Sequence, residues 1–332
     1  MTQTNIVGER RIHLYQNINH VELASLPKNK TAVLIPISPL EEHGPHLPFG
    51  VDAFLAEYFS SQMAQRLSES RPDWHFLILP TFFAGSDTLQ YLGSIEVRQY
   101  VIKDLLYDCA SKLARDGFQF IIAVGGHGGP RHMVAMEEVA SKISWRFRGT
   151  KMISASNRFM FEALQGKLVP KLEQYFKNSG APLTEDEVAA LKTDYHAGFV
   201  ETSLMMVIKP DLVKPGYKDL KPAIVPSVFR IRKNSAQKVG GGFGHLGTPS
   251  LARPDFGNGA IEVILGEMIP LIGRFLDGDE KVIKEFRSQL YYVPFFRTHF
   301  KYILILTLSF LVVFASLAYF TQLMAQLMSN MR

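Results

Sequence analysis

Apolar residues in this chain follow two rhythms. Short continuous runs, TAVLIPIS (Thr31–Ser38), HFLILP (His75–Pro80), FQFIIAV (Phe118–Val124) and KMISAS (Lys151–Ser156), are rich in β-forming residues and lack polar alternation. Strands buried on both faces read this way, so the runs predict parallel strands. Between them, apolar positions recur at helical spacing near Phe54–Leu67, over Ile95–Arg115 and over Met133–Trp145. Pro130 stands where the last of these helices should open, a position at which its missing N–H costs nothing. Thr184 followed by Glu187 has the capping-box pattern for a helix over Glu185–Leu191, inside a polar stretch, Lys177–Asp194, that reads as a surface excursion. Alternating strands and helices predict an α/β domain with helices on both faces of a mostly parallel central sheet, a three-layer arrangement. Functional loops should then gather at the carboxyl ends of the strands. There is no internal repeat and no low-complexity segment.

The pattern changes at the end of the chain. From Tyr302 to Phe320 the sequence is YILILTLSFLVVFASLAYF, without a charge or a polar stripe. At helical rise these roughly 19 residues reach about 28 Å, close to the hydrocarbon thickness of a bilayer. An amphipathic surface helix would need a polar face that this segment lacks. A single C-terminal transmembrane anchor is therefore expected. Arg287, Arg297, His299 and Lys301 precede it and Arg332 alone follows, which places the large N-terminal part in the cytoplasm. Tyr291, Tyr292, Phe295 and Phe296 would lie near the headgroups. The expected organisation is a catalytic-type domain over 1–290, a juxtamembrane linker over 291–301, the span over 302–320 and a short tail over 321–332.

Composition agrees with this division. The 332 residues are 47% hydrophobic, enough for a sizeable core. Cys109 is the only cysteine, so no internal disulfide forms, and the N-terminus MTQTNIVGERRIHLYQN has no apolar run resembling a secretory leader. Net charge is +5, with eight basic residues against two aspartates between Lys209 and Lys238. That segment reads first as a solvated surface and second as a face toward anionic lipid. Nucleic acid is not expected, because no recognised binding motif or interleaved aromatic residue accompanies the charge.

Three segments carry chemistry. PLEEHGPHLPFGVD holds Glu41, Glu42, His43, His46 and Asp52 among glycine and prolines, a composition that predicts a shaped loop. Such a loop can gather oxygen and nitrogen donors around a divalent ion, and composition alone leaves a solvated turn as the other reading. GGHGGP places His127 at the tip of an apolar strand, where flanking glycines let the backbone approach a ligand. DYHAGFVETS carries Asp194, His196 and Glu201; five residues separate the last two, which is not the four-residue pairing of ligands on one helix face.

Together these segments resemble the creatininase (creatinine amidohydrolase) family, roughly from Val33 to Glu262. The marks are E-x-H-G-P-H-x-P-x-x-x-D at Glu41–Asp52, G-G-H-G-G at Gly125–Gly129 and H-A-G-x-x-E-T-S at His196–Ser203, with weaker echoes in GSDTLQYLGSI (Gly85–Ile95) and GHLGTPSLA (Gly244–Ala252). The resemblance implies a three-layer α/β fold with two divalent ions, zinc first and manganese or iron next. It implies Glu41, Asp52 and His127 as ligands of one ion, and His43, Asp52 and a further carboxylate as ligands of the other, with Asp52 bridging. In creatinine-hydrolysing members that further carboxylate lies two residues after the glycine-turn histidine. Gly129 stands there in this chain, so Glu201 is expected to complete the second site, as in deformylase-like relatives. His196 is expected as the proton donor to the leaving nitrogen, and Ser86, Gly128 and Gly129 as groups facing the substrate. Glu42 should face away from the ions or support a ligand, and His46 should orient a ligating carboxylate. The tryptophans that family creatininases place before the catalytic histidine are missing between Arg146 and His196, which argues against creatinine. The expected substrate is a small cyclic amide or a formamide, and the resemblance implies a homo-oligomer. The alternatives are a metallopeptidase of the same family, or a membrane-tethered binding protein that has lost the chemistry.

Overall fold

The computed structural model describes residues 11–330. Residues 1–10 and 331–332, which include the start of the N-terminus read above and the Arg332 flank, lie outside the described residues.

The chain runs through β1 (Ile12–Leu14), α1 (His20–Ser25), β2 (Thr31–Ser38), α2 (Val51–Ser70), β3 (His75–Ile78) and β4 (Phe82–Phe83). It continues with α3 (Gln99–Arg115), β5 (Phe120–Val124), α4 (Pro130–Arg146), β6 (Lys151–Ser154), α5 (Asn157–Leu164), α6 (Val169–Asn178) and α7 (Glu185–Leu191). After α8 (Phe199–Ile208) come α9 (Pro254–Leu276), α10 (Val282–Glu285) and α11 (Phe300–Asn330). The sheet order is β1-β3-β2-β5-β6, with β4 beside the end of β2, and every strand pair is parallel.

The fully buried β2 divides its side chains between two cores. Ala32 and Leu34 join a cluster that includes residues of α2, α6, α8 and α9, whereas Val33, Ile35 and Ile37 join one that includes residues of α3 and α4. The three layers follow, with α2, α6, α8 and α9 on one face and α3 and α4 on the other. Strand order reverses between β2 and β5, so the crevice beyond their carboxyl ends is the topological switch point where α/β proteins place ligands.

Two elements differ from the sequence reading. Helix α3 begins at Gln99 instead of Ile95, because Ile95 donates its N–H to the Leu40 carbonyl at 2.9 Å and braces the loop after β2. Helix α9 is apolar on most of its surface and packs between α6 and α8, so its sequence carries little amphipathic signal.

The segment after α10 folds back on the domain. Tyr291 hydroxyl and Ser141 Oγ lie 3.0 Å apart, Arg297 stacks 4.0 Å over the Tyr291 ring, and Arg297 Nη1 lies 3.5 Å from Glu138 Oε1. The 31-residue α11 then leaves with its side chains from Tyr302 to Asn330 exposed, and it is long and apolar enough to cross a membrane.

Glu137 on α4 holds the start of this segment, accepting from Ser288 N at 2.8 Å and from Ser288 Oγ at 3.2 Å. Burial pushes its carboxyl up from 4.5 to about 7, against the opposing effect of the Ser288 bonds. The folded state therefore binds a proton that the unfolded chain has released, and stability falls as pH rises from about 4.5 to about 7. Glu137→Gln keeps an acceptor oxygen without the charge. It is expected to remove this part of the pH slope and to gain on the order of 1–3 kcal/mol at pH 8. Thermal unfolding at pH 5 and pH 8 checks this, and an unchanged slope in the variant contradicts it.

Candidate metal centre

Beyond β2 the chain enters the loop that carries Glu41, His43 and His46, closed by Glu41 N donating to Phe49 O at 3.0 Å. Asp52, expected within this loop, instead lies in the first turn of α2, where helix amides favour a carboxylate. The turn after β5 carries His127 beside it. Gly126 is needed there, because a Cβ would lie 2.1 Å from the Asp52 carbonyl oxygen.

The expected ligand residues meet in two groups. Glu41, Asp52 and His127 form one, with His127 Nδ1 3.0 Å from Glu41 Oε2 and 3.1 Å from Asp52 Oδ2. His43, His196 and Glu201 form the other. His43 Nε2 lies 3.3 Å from the second oxygen of Asp52, Oδ1, and 3.6 Å from Glu201 Oε2. Asp52 thus faces one group with each carboxylate oxygen. The ring orientations are braced from behind: His43 Nδ1 lies 3.0 Å from Glu41 O, and His127 Nε2 lies 3.1 Å from Ser86 O. Each leaves its other nitrogen toward the carboxylates.

Electrostatics shows what this cluster lacks. Burial opposes charge on His43, yet Asp52, Glu201 and Glu41 outweigh it and push the imidazole up to about 10. His127 is likewise raised well above its ordinary value, despite burial, by Glu41 and Asp52. Asp52 is held far below the carboxylate range, since the two imidazoles overcome its burial. Burial raises Glu201 to about 7, against the pull of His43. The carboxylates thus draw protons onto histidines that burial would otherwise keep neutral. Glu41 Oε2, Asp52 Oδ2 and His43 Nε2 are moreover buried without a hydrogen-bond partner. Buried, converging, unsatisfied N and O donors with a demand for positive charge fit a divalent cation.

His196 sits beside this group. Its backbone bridges to Leu246, its ring lies 4.2 Å from that of His43, and its Nε2 donates to the Glu42 carbonyl at 2.6 Å. Burial and neighbouring His43 lower it to about 4. Glu201 is positioned by a tight turn in which Ala197 adopts a left-handed φ of 49° and donates its N–H to Glu201 Oε2 at 2.5 Å. Asp194 caps the same helix, accepting from Phe199 N at 2.7 Å and Val200 N at 2.8 Å. The sequence offered only its place just ahead of a helix start as a signal for that role.

Two residues, Ser86 and His46, take places other than those expected, and Glu42 faces away from the donor groups as expected. Ser86 is buried behind His127 and supplies its carbonyl, while Asp87 and Thr88 line the cavity next to it. His46 pairs through Nε2 with Thr202 Oγ1 at 2.9 Å, with no ligating carboxylate among its hydrogen-bond partners. Glu42 turns its carboxylate to Gly44 N at 2.6 Å, so its contribution to the centre is the carbonyl that holds His196.

Glu41, Asp52, His127, His196, Glu201 and the turn Gly125–Gly129 line one end of a cavity of about 550 Å³. The sequence profile described as creatinine amidohydrolase matches residues 16–272. The chain belongs to the creatininase family. A mycofactocin precursor peptide peptidase from Mycobacterium ulcerans (strain Agy99) is 22% identical over 283 residues, covering 82% of this chain and 97% of the relative. A Bacteroides fragilis NCTC 9343 structure, provisionally named creatinine amidohydrolase, superposes with a TM-score of 0.60 at 20% identity, covering 82% of this chain and 99% of that one. A manganese form of creatininase superposes with a TM-score of 0.56 at 19% identity over 79% and 98% of the two chains, and a Zn–Zn form of a creatininase variant is a further neighbour. This creatininase-family chain is thus a hydrolase by family, and its relatives support a divalent metal.

At Gly129 the structure leaves no room for a side chain. A Cβ at this position would lie 2.3 Å from His127 Nε2 and 2.6 Å from Ser86 O. The bond from His127 to the Ser86 carbonyl occupies the space in which a carboxylate at position 129 would begin.

Proposed function

We propose that this chain is a membrane-anchored amidohydrolase using two divalent ions, zinc foremost, to cleave a C–N bond of a small amide. Glu41, Asp52 and His127 would hold one ion, and His43, Asp52 and Glu201 the other. The observation that carries this reading is Asp52, whose two oxygens face separate donor groups. When bound, such ions supply Lewis acidity at the amide carbonyl and a water acidic enough to lose its proton near neutral pH.

The chain's own residues account for the rest. Because a carbonyl only accepts, His196 carries a proton on Nε2, which leaves Nδ1 as the site that takes a proton from water and returns it to the departing nitrogen. Gly128 and Gly129 line the cavity without side chains, so their backbone can approach the substrate or its developing oxyanion. The apolar walls exclude bulk water and strengthen these interactions.

A peptidase is the second reading. The curated relative named as a peptide peptidase supports it, as does a cavity roomier than a single small ring needs. The anchor rests on α11, and the cytoplasmic orientation on Arg287, Arg297 and His299 ahead of it. Self-association, which the family resemblance implies, is a separate proposal that the mass of the purified particle tests.

One preparation tests the main reading. The protein is expected in the pelleted membrane fraction, to purify with two metal ions per chain, and to hydrolyse members of a panel of cyclic amides, formamides and dipeptides. Recovery in the soluble fraction overturns the anchor. Metal-free protein, inactive after metal addition, overturns the chemistry.

A further inference from the structure

We infer that the amide substrate carries a hydrocarbon tail that lies in the apolar part of the cavity and enters from the membrane side. This deepens the amidohydrolase reading and rests on it. Beyond the metal-binding end, the walls include Phe59, Leu164, Leu172, Val263, Ile264 and Met268. A peptide backbone against these residues would lose its water without gaining partners, whereas a methylene chain loses nothing by leaving water.

The location of the mouth gives a second, independent argument. The lining residues that are exposed are Phe295, Arg232 and Lys233, and these mark the mouth. Phe295 packs against Phe300, the first residue of α11, with ring centroids 5.9 Å apart. The four residue steps from Phe296 to Phe300 reach at most about 14 Å. The rim is held in place, since Gln99 Nε2 donates to Phe296 O at 2.7 Å and Arg131 stacks 5.2 Å over Phe295. The mouth therefore opens at the base of the apolar helix.

The basic segment, which the catalytic reading does not use, supplies Arg232 and Lys233 to this mouth. It displays Ile224 and Phe229 at 45% and 67% exposure among its lysines and arginines. Apolar side chains interspersed with cations suit the headgroup zone of an anionic bilayer. An amphiphile resting there has its tail beside a cavity whose walls hold both these apolar residues and the ligand cluster. In the reaction one water is consumed: the C–N bond breaks, hydroxyl joins the acyl carbon, and the proton leaves with the nitrogen.

The test uses the full-length, metal-loaded protein in phosphatidylcholine nanodiscs, with acetyl, butyryl and octanoyl anilides as probes. From butyryl to octanoyl, kcat/KM is expected to rise roughly 200-fold, or about fourfold for each of four added methylenes. Ile264→Trp fills the apolar part of the cavity and is expected to flatten the series, and Val263→Trp provides a second variant should the first not fold. Native mass spectrometry of protein released from nanodiscs containing dodecanoic acid gives a readout independent of turnover. One bound molecule is expected in the wild type and none in the filled variant. Hydrolysis of all anilides with no rise along the series overturns the tail and leaves the amidohydrolase standing. Preference for a dipeptide over octanoyl anilide also overturns it, in favour of the peptidase. If no amide is cleaved, the chemistry fails, and the tail stands or falls on the dodecanoic acid adduct.

Discussion

Asp52→Ala should lose both metal ions and at least about 1,000-fold in turnover, or ~4 kcal/mol of transition-state stabilisation. The reason is geometric. Asp52 Oδ2 lies 3.1 Å from His127 Nδ1 and Asp52 Oδ1 lies 3.3 Å from His43 Nε2, so its removal takes a ligand from each group at once. The carbonyl of Asp52, against which Gly126 packs, is kept in the variant, so the neighbouring turn should survive. His43→Ala should mainly deplete one ion, because His43 belongs to only one group. Metal stoichiometry beside circular dichroism makes the comparison. Two ions per chain in folded Asp52→Ala would contradict the bridging role.

Glu201→Gln and His196→Ala should separate into two phenotypes. Glu201 places Oε2 3.6 Å from His43 Nε2, and an amide oxygen there is a neutral, poorer ligand. The variant should therefore bind one ion weakly, with activity recovering as metal is added. His196→Ala should keep both ions and lose roughly 100- to 10,000-fold in kcat, the usual contribution of a positioned acid or base. His196 nevertheless shares a donor group with His43 and Glu201, so the opposite outcome has a definite meaning. If His196→Ala loses an ion while Glu201→Gln keeps both, the imidazole is the ligand and the carboxylate handles the proton. Metal titration alongside turnover distinguishes the two.

The sheet was legible because its strands are buried on both faces. TAVLIPIS became β2 with the same bounds, and FQFIIAV and KMISAS contain β5 and β6. The capping box at Thr184 and Glu187 likewise formed, since it depends on residues only three apart. Helix α9 carried little amphipathic signal because it is apolar around most of its circumference, with the stripe Asn258, Glu262, Gly266, Pro270 and Arg274 exposed. Ile95 read as helical because its pairing partner, Leu40, is distant in sequence.

For the site, the same division holds. Three short segments brought Glu41, His43, Asp52, His127, His196 and Glu201 forward as candidates, and the family resemblance implied their roles. Which of them meet was decided by the parallel sheet, which sets the ends of β2 and β5 side by side and lets α8 approach from another layer. The supporting carbonyls of Ser86 and Glu42 are invisible in sequence, because any residue has a carbonyl and only the fold aims it. The apolar C-terminal helix is the opposite case: its length and lack of charge are read directly from the sequence, whatever the domain does. What no local pattern could specify is the placement of Phe295 and Phe296 at the cavity mouth, which requires contacts between segments more than a hundred residues apart.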